Sequence, residues 1–195
     1  MKITREKVLL VAMKLFAKDG YSGVSMSMIA KESGVTRAAL YRYNTDKEDI
    51  FDSIVAWMVE KNLAHLKKFD TPIDSFEKVK EISMEIFKYW TEDCLASNFR
   101  KMLTLEQYRN PNMVKLLSYY MFGDVANYFK DLMNKSTNSD KDAEVLTLEY
   151  FAPIYTMMSL YDHLADKEYA LRRVEKHVDY FVANRTKSGM EERRC

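Results

Sequence analysis

The chain holds 195 residues, 47% of them hydrophobic, enough for a substantial buried core, and its 30 Lys/Arg nearly balance 29 Asp/Glu. Five glycines and three prolines in that length favour long uninterrupted helices, and no run of alternating β-branched residues calls for a sheet. Two distant cysteines, Cys94 and Cys195, lack CxxC or Cys/His spacing, which excludes a zinc site or disulfide framework and points to the reducing cytoplasm.

The first helix is predicted from Thr4 to Lys18, with Val8, Ala12, Leu15 and Phe16 at helical spacing and Leu9 and Val11 widening the stripe. Thr4 is its expected N-cap and Gly20 its end. The opening MKITREK leads into this charged helix and does not read as a signal sequence. Ser25 caps a second helix, Thr36 a third, and Asp46 with Asp49 resembles a capping box that starts a fourth.

Between Ser25 and Tyr43 the spacing suits two short helices that cross steeply. Ala30 is the small residue where the backbones approach, and Gly34 makes the turn. Ile29, Val35 and Leu40 point inward, which leaves Thr36, Arg37, Ala38, Tyr41 and Arg42 on the outer side of the third helix. Such a face suits the major groove of duplex DNA, where Arg37 or Arg42 can read guanine bidentately. Residues 1–50 carry nine Lys/Arg against six Asp/Glu, so this head is slightly basic and the remainder slightly acidic.

The fourth helix is expected from Asp46 to Lys68 along Ile50, Ile54, Trp57 and Met58, until Thr71-Pro72 breaks it. With no flexible linker after the head, a displacement of this rod is expected to be felt there. Ser75–Thr91 reads as a helix with Phe76, Val79, Ile82, Ile86, Phe87 and Trp90. Another carries Cys94, Leu95, Phe99, Met102, Leu103 and Leu105 and stops near Asn110-Pro111. A further helix is expected over 112–134, followed by a polar loop at 135–141. The next, 142–163, is apolar on two faces, one with Phe151, Ile154, Met158 and Tyr161, the other with Leu146, Tyr150, Pro153, Met157 and Leu160. The last, 167–185, has a narrower stripe of Leu171, Val174, Val178 and Phe181, and the tail beyond reads as frayed.

The set Ala12, Leu15, Phe16, Gly20, Tyr21, Ser25, Ile29, Ala30, Gly34, Val35, Leu40, Tyr41, Tyr43, Lys47 and Glu48 resembles the N-terminal signature of the TetR family of bacterial transcriptional regulators. The resemblance implies an all-α protein. Residues 1–46 would be a three-helix helix-turn-helix DNA-binding domain, 47–186 a helical bundle for ligand binding and dimerisation, and 187–195 a frayed tail. It places Thr36, Arg37, Ala38, Tyr41 and Arg42 on the recognition helix, Tyr41, Tyr43 and Lys47 against phosphates, and Ser25 and Ser27 on the DNA side of the second helix. Three positions depart from the pattern: Ser27 stands where arginine is common, Met28 where an acidic residue is common, and Asn44 where a buried phenylalanine is usual.

By the same resemblance the two C-terminal helices of each subunit form a four-helix dimer contact, through Phe151, Ile154, Met158, Tyr161, Leu171, Val174, Val178 and Phe181. Aromatic and methionine side chains concentrate between Trp57 and Tyr161. Trp57, Phe87, Trp90, Met102, Tyr108, Tyr119, Tyr120, Phe122, Tyr155 and Met157 are the candidates to line a pocket for a small, largely apolar or aromatic effector. The expected partners are thus a palindromic operator in double-stranded DNA, that effector and a second copy of the chain, in the cytoplasm and away from membranes.

His65, His163 and His177 share no ligand spacing, so no metal is expected, and no cofactor either. Cys94 sits in an apolar sequence neighbourhood and reads as a packing residue. Neither a nucleophile motif nor a glycine-rich phosphate loop gives catalysis a foothold. Two other readings stay open on sequence: an activator or ligand-insensitive regulator with the same head, and a small helical enzyme or lipid carrier.

Overall fold

The computed structural model describes residues 4–42, 46–66, 75–123, 126–127, 129–131 and 140–191. Among them every regular element is a helix, as expected: α1 (Arg5–Gly23), α2 (Met26–Ser33), α3 (Arg37–Tyr41), α4 (Lys47–Leu66), α5 (Phe76–Glu92), α6 (Cys94–Glu106), α7 (Pro111–Phe122), α8 (Asp140–Tyr161) and α9 (Lys167–Glu191). The expected caps form because a side-chain oxygen there meets a backbone N–H that the helix leaves without a partner. Thr4 Oγ1 accepts from Lys7 N, Ser25 Oγ from Met28 N, Thr36 Oγ1 from Ala39 N and Asp46 Oδ1 from Asp49 N.

Gly20 ends the straight run of α1 as expected, at φ 71° and ψ 162°, and a further turn reaches Gly23. Two later helix ends differ from the sequence reading. The single helix expected over 112–134 is interrupted at Gly123, where a Cβ would lie 2.3 Å from the Tyr119 carbonyl oxygen, so no other residue keeps this bend. At the end of the chain α9 continues to Glu191, past the point where a frayed tail was expected to begin. Cys94 is also corrected: it opens α6 as an exposed thiol, not a packed one, because the Asp93 cap puts it on the outer side of the first turn.

The chain forms two compact units. The first combines 1–68 with 93–117, the second 69–92 with 118–195. In the first unit α1 is the centre, packed by α6, α2 and α4, while α2 packs on α3. Val8, Leu9, Ala12, Met13 and Phe16 supply its buried stripe, and Ile50, Ile54 and Met58 that of α4. Phe99, Met102 and Leu103 are buried on α6. Phe16, Tyr21 and Phe51 form a triangle of rings with centroids 5.4–5.9 Å apart.

The second unit joins α5, α8 and α9. Tyr150 is its centre, fully buried, stacked on Phe129 at 4.3 Å and met edge-on by Phe151 and Phe181. Its hydroxyl lies 2.6 Å from Ser83 Oγ, so the phenol's polar atom has a partner. At the surface Lys80 of α5 pairs with Asp179 and Glu175 of α9.

Burial pushes the Tyr150 phenol above its ordinary value of 10.0, offset in part by the Ser83 hydrogen bond. A phenol held neutral in the fold stabilises it fully below pH ~10, and that contribution is lost as the unfolded chain ionises above it. Tyr150→Phe is therefore expected to be less stable than the parent by about 1 kcal/mol at neutral pH, through the unpartnered Ser83 hydroxyl. The gap should narrow or reverse between about pH 10 and 11.5. Urea midpoints measured across that range test it; parallel pH profiles would show that Tyr150 does not carry the alkaline loss.

Candidate nucleic-acid interface

The face expected to meet DNA is built by the turn between α2 and α3. Gly34 ends α2 in the left-handed conformation, φ 71° and ψ 31°, with its N–H bonded back to Lys31 O at 3.1 Å and the Val35 N–H to Ala30 O at 3.0 Å. No atom lies within 4 Å of where its Cβ would be, so the turn's backbone, not crowding, calls for glycine. Ile29, Ala30 and Leu40 are buried, as the wedge reading requires, and Val35 is half-buried.

What remains outside is the expected set. Ser25, Ser27, Thr36, Arg37, Ala38, Tyr41 and Arg42 are all exposed. Arg37 Nη2 donates to the Tyr41 hydroxyl at 3.4 Å, and its guanidinium carbon stands 5.7 Å from that ring's centre. The arginine is therefore pre-oriented along α3, while Arg42 caps the helix as an exposed cation. Tyr43 and Asn44 lie outside the described residues.

Lys47 is placed differently from the outward phosphate contact expected of it. It is half-buried, and its ammonium donates to Tyr21 O and Val24 O, each at 2.8 Å, over the Tyr21 ring at 4.2 Å. At the same residue, the Tyr21 N–H donates to Oε1 of Glu106 at 2.8 Å. Glu106 is 5% exposed and also faces Arg109 Nη1 at 3.5 Å. The joint between α1 and α2 is thus gripped by an ammonium from α4 and a carboxylate from α6. Sequence reasoning missed Glu106, although its phase was visible: it follows Phe99, Met102 and Leu103 on the buried stripe of α6.

The sequence profile of the bacterial regulatory proteins of the tetR family matches residues 8–54, which span α1, the turn, α3 and the start of α4. An HTH-type transcriptional regulator AcrR of Shigella flexneri is 37% identical over 91 residues, 44% of this chain and 40% of that one. An HTH-type regulator of Staphylococcus aureus is 30% identical over 84 residues, 43% of this chain and 45% of that one. The head of the chain, residues 8–54, is of the TetR family. A TetR transcription regulator from Haloarcula marismortui shares the fold, with a TM-score of 0.69, 16% identity, and coverage of 92% of this chain and 96% of that one. The sequence match spans less than half the length of the two regulators above.

Outside this TetR-like head the remaining site candidates scatter. Phe87 and Trp90 are buried in the second unit and Met102 in the first, whereas Tyr108 and Tyr119 are exposed. Tyr155 and Met157 are half-buried on α8, and the side chains of Tyr120 and Phe122 lie outside the described residues. Trp57, half-buried on α4, lines a cavity of about 640 Å³ between α4 and α1.

The expected dimer residues need correction. Phe151, Ile154, Met158, Tyr161, Val174, Val178 and Phe181 are buried inside their own chain, and Leu171 is half-buried, because α8 and α9 turn these stripes towards each other and α5. The apolar side chains left uncovered on α8 are Val145, Leu148 and Leu160, with Tyr169 and Tyr180 on α9.

Proposed function

We propose that the chain is a homodimeric, sequence-specific transcriptional regulator of the cytoplasm, a repressor that leaves a palindromic operator when a small apolar or aromatic molecule binds. The observation that carries this reading is the exposed face of α3, where Arg37, Tyr41 and Arg42 stand clear of the packed wedge beneath them. The relatives it matches are transcriptional regulators, not enzymes. No helix among the described residues is long and apolar enough to cross a membrane.

Mechanistically, α3 is the reader and the joint at Tyr21 its mount. Thr36 and Arg37 at the start of α3 offer donors and positive charge to a phosphate, and Arg42 is free to address a base edge. Two copies of α3, one duplex turn apart at about 34 Å, would read a two-fold symmetric site. An effector that binds the released state better lowers operator affinity by its differential binding, typically about 1 to 3 kcal/mol.

Selection of bound sequences from a random duplex pool, followed by titration of the winner, tests the proposal. Absence of any sequence preference at low salt would end it. Arg42→Ala should weaken the selected site by about ten- to a hundredfold and random DNA by only a few-fold, leaving the melting temperature unchanged. Lys47→Ala should weaken both DNAs alike and lower the melting temperature, since its ammonium holds the α1–α2 joint. Equal losses on both DNAs for Arg42→Ala would remove it from base reading. A reporter gene under the selected site fixes the sign of regulation.

A further inference from the structure

The cavity of about 640 Å³ between α1 and α4 lies within one compact unit and is not part of the α3 face. Its volume is in the range of small-molecule sites. From α4 the half-buried Trp57 and the exposed Ala56 line it, and from α1 the buried Leu9 adds apolar surface. Its rim is anionic. Glu6, Asp52 and Glu60 border it, and among the described residues none of the three forms an ion pair. The one cation of the lining, Arg5, donates to Ser53 Oγ, also on the lining, at 2.8 Å. Three carboxylates against one guanidinium leave the rim with two net negative charges.

We infer that this groove is a binding site for a small organic cation with an aromatic or apolar body. The chemistry selects that class on two counts. An indole face attracts a cation through its quadrupole and an apolar body through burial, so both parts of such a ligand are served. A neutral ligand would leave the carboxylate field unused, and an anion would be repelled by it. Helical phase holds the arrangement together: Asp52, Ala56 and Glu60 stand four residues apart on α4, with Ser53 and Trp57 one position on, so carboxylates flank the aromatic along one side of the helix.

Tetraphenylphosphonium and tetraphenylborate, equal in shape and opposite in charge, are the probes. With the full-length chain and no DNA present, the phosphonium should bind saturably and change tryptophan emission. Trp57 should be the reporter, since Trp90 is only 5% exposed. Trp57→Phe should abolish that signal. Asp52→Asn and Glu60→Gln should each weaken the phosphonium by roughly three- to tenfold, as expected for partly exposed charge pairs, while leaving the circular dichroism unchanged. Equal binding of the two probes, or carboxamide variants that bind the phosphonium as the parent does, would overturn the inference. So would a groove that ignores both probes while Asp52→Arg shifts the sedimentation coefficient, because a second copy would then be its occupant. A chain that binds no DNA but passes this test keeps the site, so the two proposals fail separately.

Discussion

Glu106→Ala is expected to loosen the DNA-reading head more than any other single change outside the apolar core. The carboxylate is almost enclosed and accepts the Tyr21 N–H at 2.8 Å, beside Gly20, whose Cβ position would be 3.4 Å from the same oxygen. Truncation leaves a partly buried N–H without its acceptor and empties the space the side chain filled, a combined cost of about 2 to 4 kcal/mol. Glu106→Gln keeps the acceptor and the volume and loses only the charge assistance, so it should cost about 1 kcal/mol. Chemical denaturation gives both numbers. Amide exchange at Tyr21 and the first turn of α2 should rise far more in the alanine variant than in the glutamine one. Equal exchange in both variants and the parent would show that the α1–α2 joint is held by Lys47 and ring packing alone.

Charging the outer face of α8 should separate the proposed dimer. Val145, Leu148 and Leu160 are 65%, 67% and 47% exposed on α8, and Tyr180 is 73% exposed on α9. These exposed apolar side chains, spread along two long helices, are what a second copy would cover in the proposed dimer. Leu148→Arg/Leu160→Arg is expected to yield a folded monomer, because neither side chain belongs to the chain's own core. Ile154→Arg, at 3% exposure, should instead prevent folding. Sedimentation reports the mass, and operator titration the consequence. Uncoupling two half-site contacts removes the effective concentration that joins them, so affinity should fall by about 10² to 10⁴. A dimeric double variant, or a monomer with undiminished affinity, would refute the assignment.

The head could be read from sequence because its determinants are local. A cap needs only a side-chain oxygen two or three residues before an N–H, and Thr4, Ser25, Thr36 and Asp46 each met that condition. The left-handed turn needed a glycine, and Gly34 stood where the wedge placed it. The uncovered face of α8 could not be read in the same way. A helix apolar on two sides, as α8 is, does not say which side its own chain covers, and the larger side chains Phe151, Ile154 and Met158 turned inward. Lys47 escaped for a similar reason, since nothing in its neighbourhood announces that two carbonyls over twenty residues earlier will claim its ammonium. The pocket candidates, drawn from composition, were divided by tertiary packing between two cores and the surface.

The interrupted path of the first unit also governs synthesis. Because α6 is encoded after α5, a nascent chain carries α1 through α4 out of the ribosome about forty residues before the helix that covers α1 is complete, a lag of roughly 2 to 8 s. During that interval the greasy side of α1 is a natural client surface for chaperones, and a fragment cut after Leu66 would keep that exposure permanently.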